Sequence, residues 1–121
     1  VDSAHAGNPL YIYPIGTSML SSELKPLLEK NNDTYSHLVL DYKYDNTKDP
    51  NRFYYRSDHY NFAKHNVPVI FFFNGTHADY HKSTDTIEKI QFPKMQSITR
   101  LIFFTAWDAA NRTERIKTDL K

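Results

Sequence analysis

The chain has 121 residues, of which 40% are hydrophobic and 15% aromatic, so it is long enough for one modest domain with a ring-rich core. The formal net charge is +1 and no basic block concentrates on one segment, which argues against a nucleic-acid or membrane-surface partner. Cysteine is absent, which excludes a disulfide framework and a thiolate metal site. No apolar run reaches the length of a membrane span, and the first residues lack a signal-peptide pattern.

The first half of the chain predicts a strand, a helix and a second strand. Residues 10–15 form a β-rich run typical of a strand. Ser21 or Ser22 can cap a following helix, which ends at residues 31–33. The apolar positions of this helix fall on one face: Leu20, Leu24, Leu27 and Leu28. Residues 38–44 alternate between apolar and polar side chains, which predicts a strand near a sheet edge.

The second half predicts a helix, a strand and a long final helix. Ser57 is a favourable N-cap for a short helix that ends near Asn66. The continuous apolar run over residues 67–73 predicts a strand that is covered by helices on both sides. Residues 85–88 have the pattern of a capping box, and Pro93 fits the first turn of the long helix. That helix keeps helical spacing at Met95, Ile98, Ile102, Thr105 and Ala109, with Trp107 on an adjoining stripe.

The order strand, helix, strand, helix, strand, helix predicts an α/β fold with a mostly parallel, three-stranded sheet flanked by helices. We expect residues 1–121 to form a single α/β domain. Three strands make a thin sheet for this pattern, so one side of the sheet needs a partner. That partner is either residues missing from this chain or a second copy of the chain, paired through the exposed half-sheet.

Two histidine-containing segments are the first candidates for chemistry. His81 comes shortly after the apolar strand, where an imidazole can bind a metal or shuttle protons; the alternative is a histidine that fixes a loop by hydrogen bonding. Ser57, Asp58 and His59 are adjacent, and neighbouring residues rarely meet in the geometry of a hydrolytic triad. We therefore expect Ser57 to cap a helix and Asp58 to favour the positive end of the helix dipole.

Two further features are weaker. Tyr54 has a phenol that can stabilise an oxyanion by hydrogen bonding, and aromatic packing is at least as compatible with its position. His77 and Asp79 have a His-x-Asp spacing, for which a solvated turn is the preferred interpretation.

Three segments together resemble the C-terminal part of the di-zinc aminopeptidase family, peptidase family M28, to which glutaminyl cyclases are related. The segments cover residues 53–63, 67–75 and 79–86, and the similarity extends across nearly the whole chain. In this family two zinc ions share a bridging Asp, and a Glu-Glu pair gives one ligand and the general base that activates metal-bound water. The resemblance implies that His81 is the last zinc ligand, that Tyr54 stabilises the transition state, and that Asp58 orients a substrate or a metal ligand.

The chain also departs from the family pattern, because it lacks a Glu-Glu pair and an upstream His-x-Asp motif. The other Asp ligand of the family would fall just before Val1. A single ligand cannot hold a zinc pair, since zinc needs three or four protein ligands. We therefore expect a C-terminal fragment of a longer peptidase domain, inactive by itself and without tightly bound zinc.

The resemblance implies a parent enzyme that hydrolyses N-terminal peptide bonds of peptide substrates and lies outside the cytoplasm, in a periplasmic or secreted location. Two alternatives remain open at this point. One is a fragment of a glutaminyl cyclase-like acyltransferase, and the other is a non-catalytic α/β module that binds a partner or its own copy.

Overall fold

The computed structural model describes residues 1–120 and contains a three-stranded sheet. The central strand, β1, covers Tyr11–Ile15, and all of its residues are buried. Strand β2 (Val39–Leu40) lies on one side of β1, and strand β3 (Phe71–Phe73) lies on the other. The α-helices are α1 (Leu24–Asn31), α2 (His59–Ala63) and α3 (Phe92–Ala110). Single 3₁₀ or π turns cover Ser3–His5, Asn32–Ser36, Phe53–Tyr55 and Ile87–Lys89.

The α/β class is confirmed, but the prediction of a mostly parallel sheet is wrong. Strand β2 is parallel to β1, whereas β3 is antiparallel to it, with Tyr13 opposite Phe73. The hydrophobic pattern of a strand does not encode its direction. The direction of β3 is seen only in its pairing with β1, where Ile15 lies opposite Phe71 and Tyr13 lies opposite Phe73.

Strands β2 and β3 are both shorter than predicted. After Leu40 the carboxylate of Asp41 accepts a hydrogen bond from the backbone N–H of Lys43, and this local turn competes with the ladder. The run before β3 contains Pro68, which has no N–H to donate to a neighbouring strand. Only the last part of that run, from Phe71 onward, pairs with β1.

The helix starts differ from the capping predictions. The N-cap position of α2 is Asp58 rather than Ser57, and the Asp58 side chain makes no capping hydrogen bond. The prediction of a capping box at residues 85–88 is wrong. The element at this position is the single 3₁₀ turn Ile87–Lys89, and its N-cap residue makes no side-chain capping hydrogen bond. Helix α3 begins at Phe92 and has a proline in its first turn, as predicted.

The sheet separates two hydrophobic clusters. One face carries an aromatic cluster made of β1 and β3 side chains and the 53–63 segment: Tyr11, Tyr13, Ile15, Phe53, Tyr54, Ala63 and Phe73. The other face packs on α1 and α3, with buried side chains Ile12, Leu28, Leu38 and Leu101. Consecutive residues of β1 therefore point to opposite faces, as expected for a strand buried on both sides.

Helix α3 turns a different face to the sheet from the one its largest side chains suggest. Its buried residues are Lys94, Leu101 and Thr105. Five large apolar side chains on other faces of the helix are exposed: Phe92, Met95, Ile102, Phe103 and Trp107. Of the helical positions picked out from the sequence, only Thr105 is fully buried. Among residues 1–120, no helix combines the length and the apolar character that a bilayer crossing requires.

Candidate active site

A cavity of about 300 Å³ lies at the aromatic face of the sheet, beside β3. It is lined by aromatic rings, one arginine, one serine and one histidine: Phe53, Arg56, Ser57, Phe71, Phe73, Tyr80 and His81. The cavity therefore brings together the two segments that the sequence singled out, although they are separated by more than twenty residues.

His81 reaches this cavity through a sharply turning loop. At the end of β3, Gly75 has φ +90°, and a Cβ there would lie 2.5 Å from the Asp2 carboxylate, so only glycine fits. Two consecutive turns follow, in which Tyr80 N–H donates to the carbonyl of His77 and Lys82 N–H donates to the carbonyl of Asp79. His81 itself has φ +57° and is exposed. Its ring stacks on Tyr80 at 4.0 Å, which fixes the imidazole at the rim of the cavity.

The Ser-Asp-His segment does not form a hydrolytic triad. Ser57 lines the cavity, and Asp58 is exposed at the start of α2. The Nε2 of His59 lies 2.6 Å from the carbonyl oxygen of Tyr54, and the ring stacks on Phe71 at 4.4 Å. Burial lowers the pKa of His59, which disfavours its charged form. The Nδ1 of His59 is buried and has no hydrogen-bond partner, so neither ring nitrogen bonds a serine hydroxyl.

Tyr54 is almost fully buried and does not line this cavity. Its ring makes edge-to-face contacts with Tyr55 and Tyr60. Burial raises the pKa of the Tyr54 phenol, so the hydroxyl keeps its proton at neutral pH. Its assignment as an oxyanion donor, like that of Asp58 as an orienting acid, stays a prediction.

The His77–Asp79 pair forms a turn. The backbone N–H of Asp79 donates to Nδ1 of His77 at 3.2 Å, and the Asp79 carboxylate pairs with Lys89 at 3.0 Å. Hydrogen bonds from Thr84 and then Lys89 hold the pKa of Asp79 below its usual value. Both side chains are engaged within the loop, as the interpretation of a solvated turn requires.

The residues near His81 do not fit a zinc ion. Within the described range, 1–120, no group of three or more His, Cys, Asp or Glu side chains is placed to hold a metal. Zinc requires three or four such ligands, and His81 supplies one.

Two residues with unusual surroundings, Arg56 and Lys94, were not identified from the sequence. The guanidinium of Arg56 lies 5.0 Å from the ring centroid of Phe53 and lines the aromatic cavity. Lys94 is buried although it is a lysine, and its only advance signal is its helical spacing from Leu101 and Thr105 on α3.

An α/β sheet with a histidine on the loop beyond a buried strand is compatible with a hydrolase. A family model described as Peptidase family M28 matches residues 1–106, which is most of the chain. The chain therefore belongs to peptidase family M28, and the resemblance drawn from the sequence is confirmed. At the family level this indicates a zinc-dependent peptidase. Searches of the curated proteins and of the solved structures gave no match.

Proposed function

We propose that this chain is the C-terminal part of a zinc-dependent aminopeptidase that hydrolyses N-terminal peptide bonds. The observation that carries the proposal is the position of His81 at the rim of the aromatic cavity, in a chain that belongs to peptidase family M28. The exposed imidazole makes no hydrogen bond to another residue within the described range, which favours a role as a ligand over a role in fixing the loop.

In this proposal His81 is one zinc ligand, and the remaining ligands belong to residues that this sequence does not contain. The 121-residue chain would then be inactive by itself. Tyr54 and Asp58 are proposed to act on the substrate in the parent enzyme, as oxyanion donor and orienting acid.

The coding sequence upstream of Val1 provides the first test. We expect it to encode a His-x-Asp motif and a Glu-Glu pair. The longer protein should bind zinc and release N-terminal residues from aminoacyl chromogenic substrates. Replacing His81 by Ala should lower its zinc content and abolish turnover. An upstream sequence without these motifs, or unchanged zinc in the variant, would contradict the proposal.

His37→Ala is a matched control, because His37 is also exposed and also has a left-handed backbone, with φ +53°. It should leave zinc and turnover unchanged. A parallel assay on an N-terminal glutamine substrate separates a peptidase from a glutaminyl cyclase, and the membership in a peptidase family favours hydrolysis.

One observation favours a second candidate, a non-catalytic interaction module. Phe92, Phe103 and Trp107 on α3 are each more than half exposed, and together these rings present roughly 300 Å² of apolar surface. No charged side chain other than Arg100 lies between Met95 and Trp107, so a second copy of the same face is the complementary partner. Light scattering tests this: a monomer at high concentration would exclude it, and a dimer that Trp107→Glu dissociates would support it.

A further inference from the structure

The loop that carries His81 begins with an Asn-Gly step. Asn74-Gly75 is the only such step in the sequence, and it directly follows strand β3. An asparagine side chain can cyclise on the backbone nitrogen of the next residue, and a side chain on that next residue obstructs the attack. Glycine has no Cβ and therefore removes the obstruction. The surroundings of this step decide whether the reaction is open to the folded chain.

The structure leaves both reacting groups of this step open. Asn74 is exposed, and it lines a cavity between the His81 loop and the first half of α3, so water reaches it. Among residues 1–120 the Gly75 N–H donates to no backbone carbonyl, since the ladder between β1 and β3 ends at Phe73. The Tyr11 hydroxyl donates to the main-chain carbonyl of Asn74 at 2.6 Å, and this bond does not involve the side-chain amide.

Two other asparagines show what protects such a side chain. Asn32 is buried, and its side chain both donates to the carbonyl of Leu38 at 2.8 Å and accepts from the N–H of Leu38 at 2.9 Å. Asn111 is exposed, as Asn74 is, but the next residue is Arg112, whose Cβ obstructs the attack on the side chain. Asn111 is therefore an internal control for the effect of the following residue.

We propose that Asn74 is a site of spontaneous deamidation, through a cyclic imide with Gly75, and that the product loosens the start of the His81 loop. The Gly75 nitrogen attacks Cγ of Asn74, and a new C–N bond forms. The bond from Cγ to the side-chain nitrogen breaks, and ammonia leaves with the proton of the Gly75 nitrogen. Water then opens the imide on either side, which gives aspartate or isoaspartate at position 74. No atom is oxidised or reduced, and water is the only co-reactant.

Isoaspartate does not fit the surroundings of this step. It routes the main chain through the former side chain and so lengthens the backbone by one methylene directly before Gly75. There is no room for this at Gly75, where even a Cβ would lie 2.5 Å from the carboxylate of the buried Asp2. The same change turns the carbonyl that accepts the Tyr11 hydroxyl into a free carboxylate. We therefore expect the loop from residue 75 to residue 81 to move and the fold to lose stability.

The test is a time course of the folded, full-length chain at mildly alkaline pH, followed by peptide mass spectrometry. Replacement of the amide nitrogen by oxygen changes the mass, and chromatography separates isoaspartate from aspartate. We expect Asn74 to convert at least about tenfold faster than Asn111, and no more than about tenfold slower in the folded chain than in urea. A smaller preference for Asn74, or a greater protection of Asn74 by the fold, would overturn the proposal.

Two variants complete the test. Asn74→Gln keeps the exposed amide but needs a less favourable six-membered ring, so it should release no ammonia from position 74 over the same time. Asn111→Gln is the matched control and should leave the rate at Asn74 unchanged. The aged parent chain should unfold at a lower urea concentration than the fresh chain, whereas aged Asn74→Gln should not. Full conversion of Asn74 without a change in the urea midpoint would contradict the loosening of the loop. These readouts depend on neither zinc nor turnover, so they test this site apart from the proposed peptidase function.

Discussion

Replacing the buried Lys94 by Met should stabilise the fold, and the gain should depend on pH. Burial lowers the pKa of Lys94 from 10.5 to about 8, which corresponds to a cost of about 3 kcal/mol for keeping the ammonium group in the folded protein. Methionine has a similar shape and no charge, so the variant loses this cost together with the cation–π contact to Tyr11, worth about 1–2 kcal/mol. We expect a net gain of about 1–2 kcal/mol in the free energy of unfolding at pH 6.5.

The sign of the pH dependence follows from the direction of the pKa shift. The folded-state pKa lies below the unfolded one, so the cost is fully present below about pH 8 and is lost as the pH rises toward 10.5. The stability gap between Lys94→Met and the parent chain should therefore shrink by about 2 kcal/mol between pH 6.5 and pH 10.

Urea unfolding followed by circular dichroism at both pH values measures this gap. Lys64→Met, at an exposed lysine, is the control and should shift stability by less than about 0.5 kcal/mol at either pH. A Lys94→Met variant that is less stable than the parent at pH 6.5, or a gap that does not change with pH, would refute the reasoning.

Two further substitutions test the packing around β1 and β3. Gly75→Ala should lower the free energy of unfolding by roughly 2 kcal/mol or more, because the residue has φ +90° and the added Cβ would lie 2.5 Å from the Asp2 carboxylate. Thermal melts should show no such loss for the control Gly7→Ala, because a Cβ at residue 7 would have no other atom within 4 Å. Tyr11→Phe should cost about 1–3 kcal/mol in urea unfolding, since the Tyr11 hydroxyl accepts from the Asp2 N–H and donates to a loop carbonyl, each at 2.6 Å. Tyr35→Phe, at a half-exposed ring, is its control, and equal losses in the two variants would contradict the role of these hydrogen bonds.

The sequence was informative where a single local pattern decides the outcome. The apolar run of β1 and the proline in the first turn of α3 both led to the correct elements. The motifs around His59 and His81 led to the correct family. In each of these cases the residues that carry the signal are close together in the chain.

The sequence was misleading where the outcome depends on distant contacts. The direction of β3 is set by its pairing with β1, and nothing in its own apolar residues encodes it. In the sequence, His59 belongs to the polar segment Ser57-Asp58-His59. In the structure its ring packs on Phe71, and its Nε2 lies 2.6 Å from the carbonyl oxygen of Tyr54. The burial of Lys94 likewise depends on a distant contact, since its Nζ lies 3.4 Å from the ring centroid of Tyr11.

We propose that His81 is a zinc ligand whose companion ligands are absent from this chain. The most direct measurement is the zinc content of the purified 121-residue chain after desalting, combined with turnover of an aminoacyl chromogenic substrate. Because one histidine holds zinc only weakly, we expect far less than one zinc ion per chain and no turnover above background. Stoichiometric zinc together with turnover in this chain would contradict the absence of the companion ligands, and zinc and turnover that persist in His81→Ala would contradict the role of His81.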